Sequence, residues 1–208
     1  MKYKNFIWDF GGTIINSYPA LVKGILKALS DIGIEETYDE VFEQARISKN
    51  HLAKYFMNKH NLDYDFVTKI KMAENLVDPE SRIPFEGVEE ILSFIKENGG
   101  KNYIFTHRNR DSANELLIKH DLEKYFEIMI AKENELARKP SPEGILFLMH
   151  TQKLDPSETV NIGDRGIDVE AGLKAGIDNI YFNPEGVIVE KATYNIKAFK
   201  EIFEILKR

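Results

Sequence analysis

The sequence predicts a doubly wound α/β fold, a parallel sheet with helices on both faces, carrying an all-α domain inserted after the first strand. Three observations support this. Short, continuously apolar runs recur along the chain, as expected of strands buried on both faces of a parallel sheet. From about residue 85 onward these runs alternate with segments of helical period. Residues 16 to about 83 contain no such run and keep helical spacing throughout.

The five strand candidates are NFIWDF (5–10), KNYIFT (101–106), FEIMIA (126–131), TVNIG (159–163) and DNIYF (178–182). Between them, GVEEILSFIKENGG places Val88, Ile91, Leu92 and Ile95 on one helical face and stops at Gly99–Gly100. RDSANELLIKHDL offers Asp111 as N-cap. Ser141–Pro142 precedes a helix in PEGILFLMH, Gly166 to Ala175 forms a short helix closed by Gly176, and Ile196 to Leu206 supplies the last one. In the inserted block, Leu21, Val22, Ile25, Leu26 and Leu29 share a face, and YDEVFEQARI, NHLAKYFMNKH and YDFVTKIKMAENLV read as further helices. The domain boundaries are expected near Asn16 and Pro84, giving a core of 1–15 with 84–208 and a helical domain of 16–83, with the two crossings free to act as a hinge.

A chain of 208 residues holds one sizeable core or one core with a smaller appended domain. Lys and Arg number 28 against 34 Asp and Glu, a net charge of −6 that argues against nucleic-acid and anionic-membrane partners. No cysteine is present, and the N-terminus lacks the apolar stretch of a signal peptide, so a reduced, cytoplasmic setting is expected. No apolar run reaches the roughly 18 residues of a membrane span.

In an open α/β sheet the ligand crevice lies beyond the carboxyl ends of the strands. Asp9 closes the first strand candidate and Thr106 the second. Lys139 follows the third in a loop stiffened by Pro140 and Pro142, and Asp164 ends the fourth with Asp168 a helical turn later. A carboxylate nucleophile, a hydroxyl, an ammonium and two further carboxylates around one crevice suit phosphoryl transfer through an aspartyl-phosphate, with a divalent cation offsetting the charge.

The four segments DFGGT (9–13), YIFTHR with Thr106, RKPSPE (138–143) and GDRGIDVEAGLKAGI (163–177) stand in that order, and with them the sequence resembles the haloacid dehalogenase-like (HAD) hydrolase superfamily over nearly its whole length. The branch it resembles is that of phosphatases with a helical cap inserted after the first motif, phosphoglycolate phosphatase and β-phosphoglucomutase among them. The resemblance implies a Rossmann-like core and a hydrolase of a small phosphorylated metabolite, acting as monomer or homodimer. It implies Asp9 as nucleophile, with Thr106 and Lys139 holding the phosphoryl group and Lys139 also restraining Asp9. Mg²⁺ would be bound by Asp9, Asp164 and the Gly11 backbone carbonyl, with Asp168 a direct or water-mediated supporter. A Gly11–Gly12 turn permits φ > 0 and close approach of the backbone to phosphate, which places both glycines among the substrate contacts.

The sequence departs from the family pattern at Gly11, where phosphatases of this group carry a second aspartate that protonates the leaving alcohol and activates water. A positioned acid–base group contributes about 10² to 10⁴-fold, so slow turnover of alkyl phosphates is expected. His107 is a weak substitute, because neighbours at a strand end face opposite sides. A binding relative with impaired catalysis, or a phosphonate or halide hydrolase, are the alternatives. The phosphonate reading needs a cap lysine, for which Lys49 and Lys54 are candidates although solvated helix residues explain both. Arg46, Lys49 and His51 stand where specificity contacts are common in the family. Arg108, Asn109 and Arg110 form a basic cluster that an anionic-substrate contact and a solvated loop explain equally well, and Trp8 reads as core.

Overall fold

A computed structural model of the chain describes residues 1–73 and 81–207. The strands are β1 (Asn5–Trp8), β2 (Ile15–Asn16), β3 (Ile83–Pro84), β4 (Lys101–Phe105), β5 (Phe126–Ile130), β6 (Thr159–Gly163), β7 (Asp178–Phe182) and β8 (Tyr194–Ile196). Six of them form one sheet in the order β5-β4-β1-β6-β7-β8, parallel at every pairing, while β2 and β3 pair separately. Strand order reverses at β1, whose two neighbours are β4 and β6. That is the topological switch point where such sheets open their ligand crevice.

The helices are α1 (Tyr18–Ser30), α2 (Tyr38–Ile47), α3 (Lys49–His60), α4 (Asp65–Met72), α5 (Val88–Glu97), α6 (Arg110–Lys119), α7 (Glu143–Gln152), α8 (Gly166–Ala175) and α9 (Glu201–Leu206). Alternation along β1 sends Trp8 and Phe6 to one face of the sheet, among Ile91 and Leu92 of α5, Leu116 of α6 and Ile202 of α9. Ile7 goes to the other face, with Ile145 and Leu148 of α7 and Ala171 of α8. Each fully buried Ile, Leu or Phe contributes roughly 1.5–3 kcal/mol, so these two layers hold the sheet ends in place. Trp8 is core, and its indole N–H donates to Asn102 Oδ1 at 2.9 Å.

The chain divides into two compact units, Met1–Ile15 with Pro84–Arg208, and Asn16–Ile83. The second is helical among its described residues, with Val22, Ile25 and Leu29 of α1, Val41 of α2, Leu52 and Phe56 of α3 and Ile70 of α4 in one apolar cluster. Thr37 and Ser48 cap α2 and α3, accepting from the Glu40 and His51 amides. Gly24 is required where α1 meets the end of α4, since a Cβ there would lie 2.0 Å from the Ala73 carbonyl oxygen.

Three sequence expectations need correction. The final helix begins at Glu201 rather than Ile196, which belongs to β8, an edge strand too short to carry its own apolar signal. The N-cap of α6 is Asn109, accepting from the Ser112 amide, and not Asp111, because the chain turns helical two residues sooner. The helix expected over 64–77 is observed as Asp65–Met72, and residues 74–77 of that expectation lie outside the described residues.

Candidate active site

The β1 ladder runs one residue past the strand, the Asp9 amide donating to the Ile162 carbonyl at 2.8 Å. The Thr106 amide does the same at the end of β4, to Ile130 at 2.9 Å. Asp9 and Thr106 are thereby fixed at adjacent strand ends by sheet hydrogen bonds, and both are buried. The Thr106 hydroxyl oxygen accepts from the Arg108 amide at 3.1 Å, which leaves its proton able to donate toward the crevice.

Lys139 lies wholly enclosed, its ammonium 2.6 Å from Asp9 Oδ1 and 2.7 Å from Asp168 Oδ1. Its loop carries a cis Lys139–Pro140 peptide. One cation bridging two buried carboxylates satisfies charges that would otherwise repel across a low-dielectric space. Burial pushes the Asp9 carboxyl up and the Lys139 ammonium opposes it. For Asp168 burial also works upward, but Lys139 and the Arg165 guanidinium outweigh it and hold this carboxyl below the usual range. Lys139 is raised, the pull of Asp168 and Asp9 exceeding the cost of its burial.

Asp168, expected among the metal supporters, is fully committed to protein. Its Oδ1 takes the Lys139 ammonium and its Oδ2 accepts the Arg165 amide at 3.0 Å, closing the N-terminus of α8. The Asn161 side-chain amide donates to its carbonyl at 2.9 Å. Among the described residues no group of three His, Asp or Glu side chains stands close enough to hold a metal. Asp168 is placed to position Lys139, which it holds through Oδ1. An oxygen-rich cation site still fits, because Asp9 Oδ2 is buried without a hydrogen-bond partner. Such an orphaned carboxylate oxygen is costly unless a cation or donor meets it. Asp164 follows β6, the strand beside β1, and is steadied by the Thr13 hydroxyl at 3.3 Å.

The two glycines do different things. Gly12 has φ 93°, and its amide donates to the Ile15 carbonyl at 2.8 Å, so this N–H closes the turn. Gly11 forms an isolated bridge with Ile15 and is not among the residues of positive φ. Its φ therefore does not call for glycine.

His107, the weak acid–base candidate, has a structural engagement instead. Its Nε2 accepts the Lys139 amide at 2.8 Å, which fixes the ring as a neutral acceptor that holds the lysine loop. Burial first, then the nearby Lys139, Arg138 and Arg165 charges, pushes its pKa down to about 3. A ring of that kind is no acid–base substitute near neutrality. The unfolded histidine takes its proton near 6.5 and the folded one only near 3, so stability is full above pH 6.5 and falls as pH drops between those values. His107→Gln, which keeps an acceptor without a titration, is expected to lose less stability across that window in urea unfolding. Parallel curves for the two proteins would contradict this.

Asn109 and Arg110, beside His107, make structural contacts. Asn109 caps α6, and the Arg110 guanidinium donates to the Met129 carbonyl at 2.8 Å and to Asn134 Oδ1 at 2.9 Å. In the helical unit, His51 Nε2 is 2.9 Å from Gln44 Oε1, the Arg46 guanidinium lies 5.6 Å from the Phe42 ring centroid, Lys49 begins α3, and Lys54 is exposed. Sequence reasoning passed over Thr13, Asn161 and Arg165. All three stand within or beside the quoted motifs, but what each touches depends on long-range packing.

A parallel sheet whose switch point presents a carboxylate paired to a buried lysine, beside a threonine and a second aspartate, defines an α/β hydrolase scaffold of the phosphoryl-transfer type. The haloacid dehalogenase-like hydrolase family profile matches residues 6–182, and the chain belongs to that family. Phosphoglycolate phosphatase of Aquifex aeolicus is 26% identical over 82% of this chain and 80% of its own length. Pyrophosphatase PpaX of Listeria welshimeri is 21% identical over 99% of this chain and 97% of its own. A hydrolase from Streptococcus pneumoniae whose crystal structure is solved superposes with a TM-score of 0.71 at 29% identity, covering 100% of both chains.

Proposed function

We propose that the chain is a Mg²⁺-dependent hydrolase of a small phosphorylated metabolite that works through an aspartyl-phosphate on Asp9. The observation that carries this reading is the Asp9–Lys139–Asp168 bridge at the end of β1, with Asp9 Oδ2 left unpartnered. Relatives named phosphoglycolate phosphatase and pyrophosphatase support small phosphorylated substrates.

Asp9 attacks phosphorus, and the bond to the leaving oxygen breaks as the aspartyl-phosphate forms; water then cleaves that anhydride and regenerates the carboxylate. The Lys139 ammonium and Thr106 hydroxyl neutralise and orient the phosphoryl oxygens. Asp168 keeps Lys139 in register, and His107 holds the backbone that carries it. Bound at Asp9, Asp164 and the Gly11 carbonyl, Mg²⁺ would supply Lewis-acid charge neutralisation. The helical unit is read as a cap that sets specificity and excludes water.

Gly11 supplies no proton to the leaving group. Alkyl phosphates, whose alkoxide needs one, are therefore turned over slowly, and aryl phosphates or other good leaving groups suffer less. The test is phosphate release from an aryl phosphate and from a panel of sugar, glycolate and nucleotide phosphates, with Mg²⁺ and with EDTA. Wild type is expected to be active and EDTA-sensitive. Gly11→Asp is expected to gain up to about 10² to 10⁴-fold on alkyl substrates and little on the aryl one. A wild type inert on every substrate would favour the reading of a binding relative, or of a phosphonate or halide hydrolase.

A further inference from the structure

Arg165 is a charged side chain of the crevice that the proposed mechanism does not use. Arg165 stands between the two aspartates of GDRGID (163–168), at the N-cap of α8, where its amide is held by Asp168 Oδ2. Its guanidinium lies 3.8 Å from Asp9 Oδ1 and 3.8 Å from Asp168 Oδ2. These are ion-pair rather than hydrogen-bond separations. Lys139 already meets the same two carboxylates at 2.6 and 2.7 Å from a fully enclosed position, whereas the Arg165 side chain is 19% exposed. Arg165 is thus a second cation on the nucleophile, placed toward the open side of the site.

The charge balance gives this placement a consequence. Lys139 and Arg165 pair with Asp9 and Asp168, and Asp164 stands at the neighbouring strand end, so these three carboxylates against two cations leave one net negative charge, and without Arg165 there would be two. A divalent cation gains from the more negative site, and a phosphoryl dianion from the less negative one. A planar guanidinium also offers paired donors that match phosphate oxygens.

We propose that Arg165 is a phosphoryl-contacting residue that binds the transferring group alongside Lys139 and, through the same charge, weakens Mg²⁺ binding. The inference rests on the phosphoryl-transfer reading of the site. It requires the two affinities to move in opposite directions when the charge is removed, which loss of a purely structural residue would not produce.

The experiment is calorimetric titration of the full chain with Mg²⁺ alone, then of the Mg²⁺-saturated protein with orthophosphate, for wild type, Arg165→Gln and Arg165→Lys. Arg165→Gln is expected to bind Mg²⁺ severalfold more tightly and orthophosphate about ten- to a hundredfold more weakly, with Arg165→Lys between it and wild type. Wild type binding both ligands while Arg165→Gln matches it, or loses affinity for both, overturns the assignment of Arg165 alone. Wild type binding neither overturns the phosphoryl-transfer reading together with it.

Discussion

Asp9→Asn is expected to abolish phosphate release, by about 10⁴-fold or more, while the protein stays folded. The amide keeps the size of the carboxylate and one acceptor oxygen for the Lys139 ammonium, which also retains Asp168 at 2.7 Å. What it loses is nucleophilicity: Asp168 is bonded at both oxygens, His107 is engaged with the Lys139 amide, and Asp164 is the carboxylate read as a metal ligand. The fold should barely notice, because burial already pushes the Asp9 carboxyl up, so neutralising it removes a desolvation cost along with an ion pair. Phosphate release and thermal unfolding measured on the same preparation check both halves. A variant within tenfold of wild-type turnover would place the nucleophile elsewhere.

Much of the core was legible before any coordinates. The β1 run and Asp9 could be read because a strand buried on both faces admits no charged residue until it ends, so Asp9, the first carboxylate in the chain and directly after Trp8, marks the strand end. The α8 helix was equally plain, closed by Gly176 at φ 75° as its C-terminal glycine implied. Where the reading slipped, the deciding forces were not local. At the start of α6 both Asn109 and Asp111 have capping chemistry, and only the backbone path selects the first. The three residues of β8 are a strand because β7 offers them an edge. Spacing places Asp168 one turn after Asp164, but nothing in that spacing reveals that a lysine 29 residues earlier would take its Oδ1. His107 shows the same limit: alternation argued that it faces away, whereas the Lys139 loop reaches across and engages its ring.

The same bridge yields the largest expected loss of stability. Lys139→Met leaves Asp9 and Asp168 buried with their shared cation gone, and breaking a buried pair in this way costs about 3–5 kcal/mol. Set against the 5–15 kcal/mol typical of a whole domain, that is a large share of what keeps the chain folded. The pH dependence should reverse as well. In wild type the carboxyl of Asp168 is held low, so its contribution is present above the unfolded carboxylate range and is lost as pH falls. Without the ammonium, burial of both carboxyls is opposed chiefly by Arg165 at 3.8 Å from each, so both shift upward and the variant is penalised increasingly as pH rises. Denaturant unfolding from pH 4 to 8 should show a Lys139→Met deficit that widens with pH. Adding Asp168→Asn should recover part of it while leaving the protein inactive, because Asp9 would still lack the cation that steers the phosphoryl group. A deficit that stays constant with pH, or that the second substitution deepens, would mean that Lys139 stabilises the fold by packing alone.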